Sequence, residues 1–116
     1  MPSSFRNFTL KKNTMGLLNA LFGKSTINVA EYIEKGAIIL DVRTQSEYDD
    51  GHIKNALHIP VQEIGNRFNE VKKLNKPLIA YCASGMRSGS ATSMLKSKGI
   101  DAINGGGMGS LKRKLG

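Results

Sequence analysis

Residues 77–99 leave this chain few folds to choose from. Pro77 precedes the apolar run Leu78-Ile79-Ala80-Tyr81, which predicts a short buried strand. Ala91, Met94, Leu95 and Lys98 then recur at spacings of three and four, predicting an amphipathic helix closed by Gly99. Between strand and helix lies Cys82-Ala83-Ser84-Gly85-Met86-Arg87-Ser88, which holds the only cysteine in the sequence. A thiol placed there meets the backbone N–H groups of a tight loop and the positive end of a helix. Both favour a thiolate and bound anions, and Arg87 adds a full positive charge. A free cysteine is usually a small buried hydrophobe. Flanks of Ala, Ser, Gly and Arg are poor core material, however, and suit an anion-binding loop. Cys82 is therefore a candidate activated nucleophile.

The 116 residues allow one domain with a single core. One cysteine excludes an intramolecular disulfide, a Cys-rich zinc site and a resolving thiol in the same chain. It suits a reducing compartment, so a cytoplasmic location is expected. The two histidines have no metal-ligand spacing, and neither a metal nor a cofactor is expected. No segment is long and apolar enough to span a bilayer. The net charge of +8 is uneven: residues 1–25 carry Arg6, Lys11, Lys12 and Lys24 with no acidic residue. Aromatic residues are few and not interleaved with the basic ones, and no nucleic-acid motif is present. The basic surface is expected to collect small anions or an acidic partner.

Residues 1–24 read as an extension and 25–116 as the organised domain. Met1–Thr14 is polar and aperiodic, the composition of a disordered segment. Residues 15–23 place Leu17, Leu18, Leu21 and Phe22 on one helical face, a short amphipathic leader with no Ala-x-Ala-like cleavage site after it. Met15 is a candidate native start.

Within the domain, Thr26-Ile27 suits a short edge strand. Asn28 with Glu31 signals a capped helix through Ala30, Ile33 and Glu34, ended by Gly36. Ala37–Val42 is a continuously apolar strand of the parallel-sheet kind, with Asp41 at its carboxyl end. Thr44-Gln45-Ser46-Glu47 is a second capping box, opening a helix that Gly51 ends. Ala56–Ile59 predicts a further strand, stopped by Pro60. Ile64, Phe68 and Val71 mark the buried face of the next helix. Asp101–Ile103 predicts the last strand, and Asn104-Gly105-Gly106-Gly107 a turn where backbone can approach closely. Met108 and Leu111 support a final helix, with Lys112, Arg113 and Lys114 at its negative end. Alternating strands and helices mean an open parallel sheet covered on both faces, with ligands outside the carboxyl ends of the strands. Asp41, Cys82 and the Gly105 turn all fall at such ends.

In these motifs the chain resembles the single-domain rhodanese-like sulfurtransferases over about residues 25–116. Asp41-Val42-Arg43, Glu47-Tyr48, Gly51-His52-Ile53, Ala56 and Ile59-Pro60 are similar to that family's first signature. Tyr81–Ser88 is similar to its catalytic loop, and Asn104-Gly105-Gly106 to its terminal glycine turn. Leu111 stands near where many members have a tryptophan. The resemblance implies a three-layer α/β/α fold around five parallel strands in the order 1-5-4-2-3, with the cysteine strand central.

It also implies a chemistry. The Cys82 thiolate would take the outer sulfur of a small anionic donor, such as thiosulfate or a persulfide, and become a persulfide itself. A thiol, cyanide or a sulfur-accepting protein would then remove that sulfur. No general base is needed if the thiolate exists at neutral pH. Ala83, Ser84, Gly85, Met86, Arg87 and Ser88 would bind the donor, and Asp41 and Arg43 would brace the rim. Glu47 reads first as a helix cap, His52 as a turn residue and His58 as structural. The domain is expected to act as a monomer. A persulfide carrier or sensor with slow turnover is the main alternative. A cysteine phosphatase or arsenate reductase fits less well, because those loops place five residues between Cys and Arg. Here there are four, Ala83 to Met86.

Overall fold

The computed structural model describes residues 29–116. The expected leader, the Thr26-Ile27 strand and the Asn28 cap lie outside the described residues. Helix α1 covers residues 29–34 and buries Val29. Strand β1 (Ile38–Asp41), helix α2 (Gln45–Asp50) and strand β2 (Leu57–His58) follow. A 3₁₀ turn at Val61–Glu63 leads into α3 (Ile64–Arg67) and α4 (Asn69–Lys72). Then come β3 (Leu78–Cys82), α5 (Met86–Ser97), β4 (Ala102–Gly107) and α6 (Met108–Leu115). The capping box predicted at α2 is present. Thr44 Oγ1 accepts from the Glu47 N–H at 3.2 Å, and Glu47 Oε1 accepts from the Thr44 N–H at 3.0 Å.

All three strand pairings are parallel, in the order β2-β1-β3-β4. The cysteine strand is thus interior and lies beside the strand ending in Asp41, as expected. Among the described residues the sheet has four strands, not the five expected, and the expected Thr26-Ile27 strand lies outside those residues. Alternation along β3 builds the layers. Leu78, Ala80 and Cys82 pack with Leu40, Val42, Ile64, Val71, Ala91 and Leu95, beneath α3, α4 and α5. Ile79 and Tyr81 face the other way, onto Val29 of α1, Leu111 of α6 and Ile53 in the segment after α2. All five β3 residues are buried, and each large apolar side chain there contributes about 1.5–3 kcal/mol.

Three details differ from the sequence expectation. The last strand does not stop at Ile103; it runs on through the glycines to Gly107. A register shift between Ala80 and Cys82 brings Gly107 opposite Cys82. The helix expected over Ile64–Val71 is broken at Phe68, where Val71 N–H bonds the Phe68 carbonyl in the tighter i→i+3 pattern. The buried face of α5 is Ser88, Ala91, Thr92 and Leu95, while Met94 is exposed. Two of its four residues, Ser88 and Thr92, are polar, which shifts it away from the purely apolar stripe. Thr92 is accommodated because its hydroxyl donates to the Ser88 carbonyl at 2.7 Å.

Candidate active site

Cys82 ends β3 at the carboxyl rim of the sheet and has no exposed surface. The chain then turns through Ala83, Ser84 and Gly85 into α5. Gly85 precedes the helix with φ +103°, a left-handed conformation that disfavours any side chain. That turn directs donors inward onto the sulfur. Gly85 N–H reaches Sγ at 3.0 Å, and Ser88 N–H and Ser88 Oγ each at 3.4 Å. Ser88 lies in the first turn of α5, so the helix end also faces the thiol. Burial opposes the charged form. The hydrogen bonds from Ser88, Gly85 and Ser84 outweigh it and bring the thiol down to about 7.

The glycine stretch of β4 clamps this loop. A Cβ on Gly107 would stand 2.5 Å from the Ala83 carbonyl oxygen, so only glycine fits there. Asn104 closes the clamp. Its Nδ2 donates to the Gly85 carbonyl at 3.0 Å, and its Oδ1 accepts from Gly106 N–H at 2.9 Å and Ser88 Oγ at 2.7 Å. The Ser88 hydroxyl has one hydrogen to give, either to Asn104 or to the sulfur. With a neutral thiol it serves Asn104; with a thiolate it turns to Sγ, where the charge makes the bond stronger. Ser88→Ala should therefore raise the Cys82 midpoint by about one unit. Alkylation by iodoacetamide measured against pH checks this. The wild-type rate should climb through a midpoint near 7, and equal midpoints in the two proteins would remove Ser88 from the account.

Arg87 is the second residue of α5, but its charge is not unmatched. Nη1 and Nη2 reach Glu47 Oε1 and Oε2 at 2.8 and 3.1 Å. The pair is about a third exposed. Glu47 is thus both the α2 cap and the partner of Arg87, and the guanidinium holds its carboxyl down to about 2.

Asp41 and Arg43 form a buried pair at the same rim, on the opposite face of the sheet from Cys82. Strand alternation dictates this, since Asp41 is in register with Tyr81, and Cys82 is the next residue. Arg43 Nη2 donates to Asp41 Oδ2 at 2.7 Å and to the Gly51 carbonyl at 2.6 Å. The Tyr81 hydroxyl donates to Asp41 Oδ2 at 2.7 Å and accepts from Ile53 N–H at 3.0 Å. Burial opposes ionisation of Asp41, but the bonds from Arg43 and Tyr81 hold its carboxyl below the ordinary range. The network fixes the segment from β1 to Ile53. Beside it, Tyr48 stacks between His52 and His58 at ring separations of 3.6 and 4.5 Å.

The structure therefore brings the N–H groups of Ser84, Gly85 and Ser88 and the Ser88 hydroxyl onto the Cys82 sulfur. Ala83 completes the turn, and Arg87, on the same loop, is turned to Glu47. Met86 sits beside them and points to solvent, 81 % exposed. Asp41 and Arg43 stand apart. Reading the sequence missed Asn104, Tyr81 and the Glu47–Arg87 pairing. A lone asparagine among glycines was the available signal for the first. The others depend on strand register and on a contact spanning forty residues. Among the described residues no cluster of His, Cys, Asp or Glu is placed to hold a metal ion, and no helix is long and apolar enough to cross a membrane.

Comparison with known proteins agrees with this architecture. A tRNA sulfurtransferase of Thermoplasma acidophilum is 32% identical over 79 residues, 68% of this chain and 16% of that protein. The thiosulfate sulfurtransferase GlpE of Coxiella burnetii is 31% identical over 80 residues, 68% of this chain and 74% of its own length. A solved rhodanese from Escherichia coli, determined with anions, superposes with a TM-score of 0.59 at 30% identity, covering 64% of this chain and 89% of that one. The sequence pattern of the rhodanese-like domain matches residues 26–110, and with its parallel sheet and cysteine loop the chain belongs to that family.

Proposed function

We propose that the protein is a sulfurtransferase working through a Cys82 persulfide. The thiolate attacks the outer sulfur of thiosulfate, the S–S bond breaks, and sulfite leaves with the bonding pair. The terminal sulfur of the persulfide then inherits the N–H groups of Gly85 and Ser88. A thiol or cyanide attacks that sulfur and releases the Cys82 thiolate. The observation that carries this reading is the set of three donors converging on a thiol brought down to about 7. Such a thiol is about half ionised at neutral pH, and the loop needs no separate base. A protein thiol is a suitable acceptor in place of a small one. The name of the GlpE relative, thiosulfate sulfurtransferase, supports thiosulfate as a donor.

Intact-mass spectrometry after thiosulfate alone tests the reading. One added sulfur is expected, removed again by cyanide. An unchanged mass with both thiosulfate and a persulfide donor would refute it. Hydrolysis of an aryl phosphate that depends on Cys82 would favour phosphatase chemistry instead.

A further inference from the structure

The loop around Cys82 carries two kinds of group that suit an anion, and the structure shows them differently engaged. Backbone N–H groups of Gly85 and Ser88 point at the sulfur. The one cation on the loop, Arg87, is gripped through both nitrogens by Glu47 of α2. Although the whole chain carries +8, this pair leaves the rim beside the sulfur with no formal surplus from Arg87. Glu47 is well anchored. Its Oε1 accepts from Arg87 Nη1 at 2.8 Å, Thr44 N–H at 3.0 Å and Thr44 Oγ1 at 3.1 Å.

We infer that Glu47, by matching Arg87, sets the donor class of this site: singly charged sulfane donors, such as thiosulfonates and persulfides, over the dianion thiosulfate. The inference rests on the reading that Cys82 accepts a sulfane sulfur. With thiosulfonate the step is thiolate plus RSO₂S⁻ giving the Cys82 persulfide and the sulfinate RSO₂⁻. With thiosulfate the same S–S bond breaks and sulfite leaves. Charge balances in both, so the two donors differ chiefly in the second negative charge that thiosulfate brings to the rim. To meet that charge with a guanidinium, the dianion must displace a carboxylate held by four hydrogen bonds. If the carboxylate stays, it repels the dianion about twice as strongly as a monoanion. Glu47 remains ionised wherever the Cys82 thiolate exists, since its carboxyl titrates at about 2 and the thiol at about 7.

Glu47→Gln is the discriminating variant. Glutamine also serves at the third position of a capping box, so α2 keeps its cap while the charge goes. The readout is the ratio of kcat/KM for methanethiosulfonate to that for thiosulfate. Glu47→Gln should lower this ratio about fivefold at low ionic strength, and added salt should shrink the change. Glu63→Gln removes the same charge from the exposed Arg67 cluster and should leave the ratio as it is. A ratio within about twofold of wild type in Glu47→Gln, with the persulfide still forming, overturns the inference and leaves the sulfur-transfer reading standing. If wild type forms no persulfide from either donor, that reading fails and takes the inference with it. Should Glu47→Gln not fold by circular dichroism, Arg87→Ala decides the matter. It leaves the Glu47 carboxylate at the rim without its counter-charge, so the ratio should rise about fivefold at low ionic strength, and a ratio within about twofold of wild type would overturn the inference.

Discussion

Cys82→Ser is expected to form no persulfide and to make thiocyanate from thiosulfate and cyanide at least about a thousandfold more slowly than wild type. A serine hydroxyl fits the volume and accepts the same donors from Gly85 and Ser88. It is not ionised near neutral pH, and it forms no sulfur–sulfur bond. The loss should therefore come with little change in folding, which circular dichroism and thermal melting would show. That pairing separates chemistry from packing. If the variant melted far below wild type, Cys82 would be acting mainly as a core residue, consistent with its complete burial. If it turned over undiminished, the persulfide mechanism would be wrong.

Asp41→Ala should be the most damaging change outside the cysteine loop. The substitution leaves the Arg43 guanidinium, only 8% exposed, with no counter-charge, and strands the Tyr81 hydroxyl. Breaking a buried ion pair by removing one partner costs about 3–5 kcal/mol. Against a total stability of about 5–15 kcal/mol for a domain, this is a large fraction. Urea unfolding should show it directly, and the melting temperature should fall by about 10 °C or more. Asp41→Asn keeps the shape and part of the hydrogen bonding and should lose less. The pH dependence has a definite sign. Since the folded carboxyl titrates below its ordinary range, the wild type gains stability from Asp41 above that range and loses it as pH falls through the folded value. Asp41→Ala lacks this component of acid sensitivity. A loss below about 1 kcal/mol would mean that water or another group satisfies Arg43. The Cys82 alkylation midpoint should barely move in the folded variant, because the two sites lie on opposite faces of the sheet.

Much of the architecture was written in local pattern. Apolar runs at Ile38–Leu40 and Leu78–Tyr81, with helices between them, specify buried parallel strands because no other arrangement covers both of their faces. The cap at Thr44 and Glu47 and the end at Gly99 are equally local, since each satisfies backbone groups a few residues away. The loop from Cys82 to Ser88 was legible for the same reason. Its donors and its sulfur lie within seven residues, so composition and spacing alone indicate an anion-binding turn.

What escaped that reading is everything set by register across the sheet. Asp41 and Cys82 share a rim, yet the pleat sends them to opposite faces, and a change of one residue in β1–β3 register would have reversed this. Asn104 fastens the cysteine loop because a register shift sets the β4 glycines beside it, and at Gly107 a side chain would collide with the Ala83 carbonyl. Glu47 meets Arg87 because two helix starts, forty positions apart in sequence, come together at the same edge. A local motif can state which groups a segment carries. Which charge faces which across the sheet follows from the packing of distant strands and helices, and here that packing matches the one cation of the loop with a carboxylate.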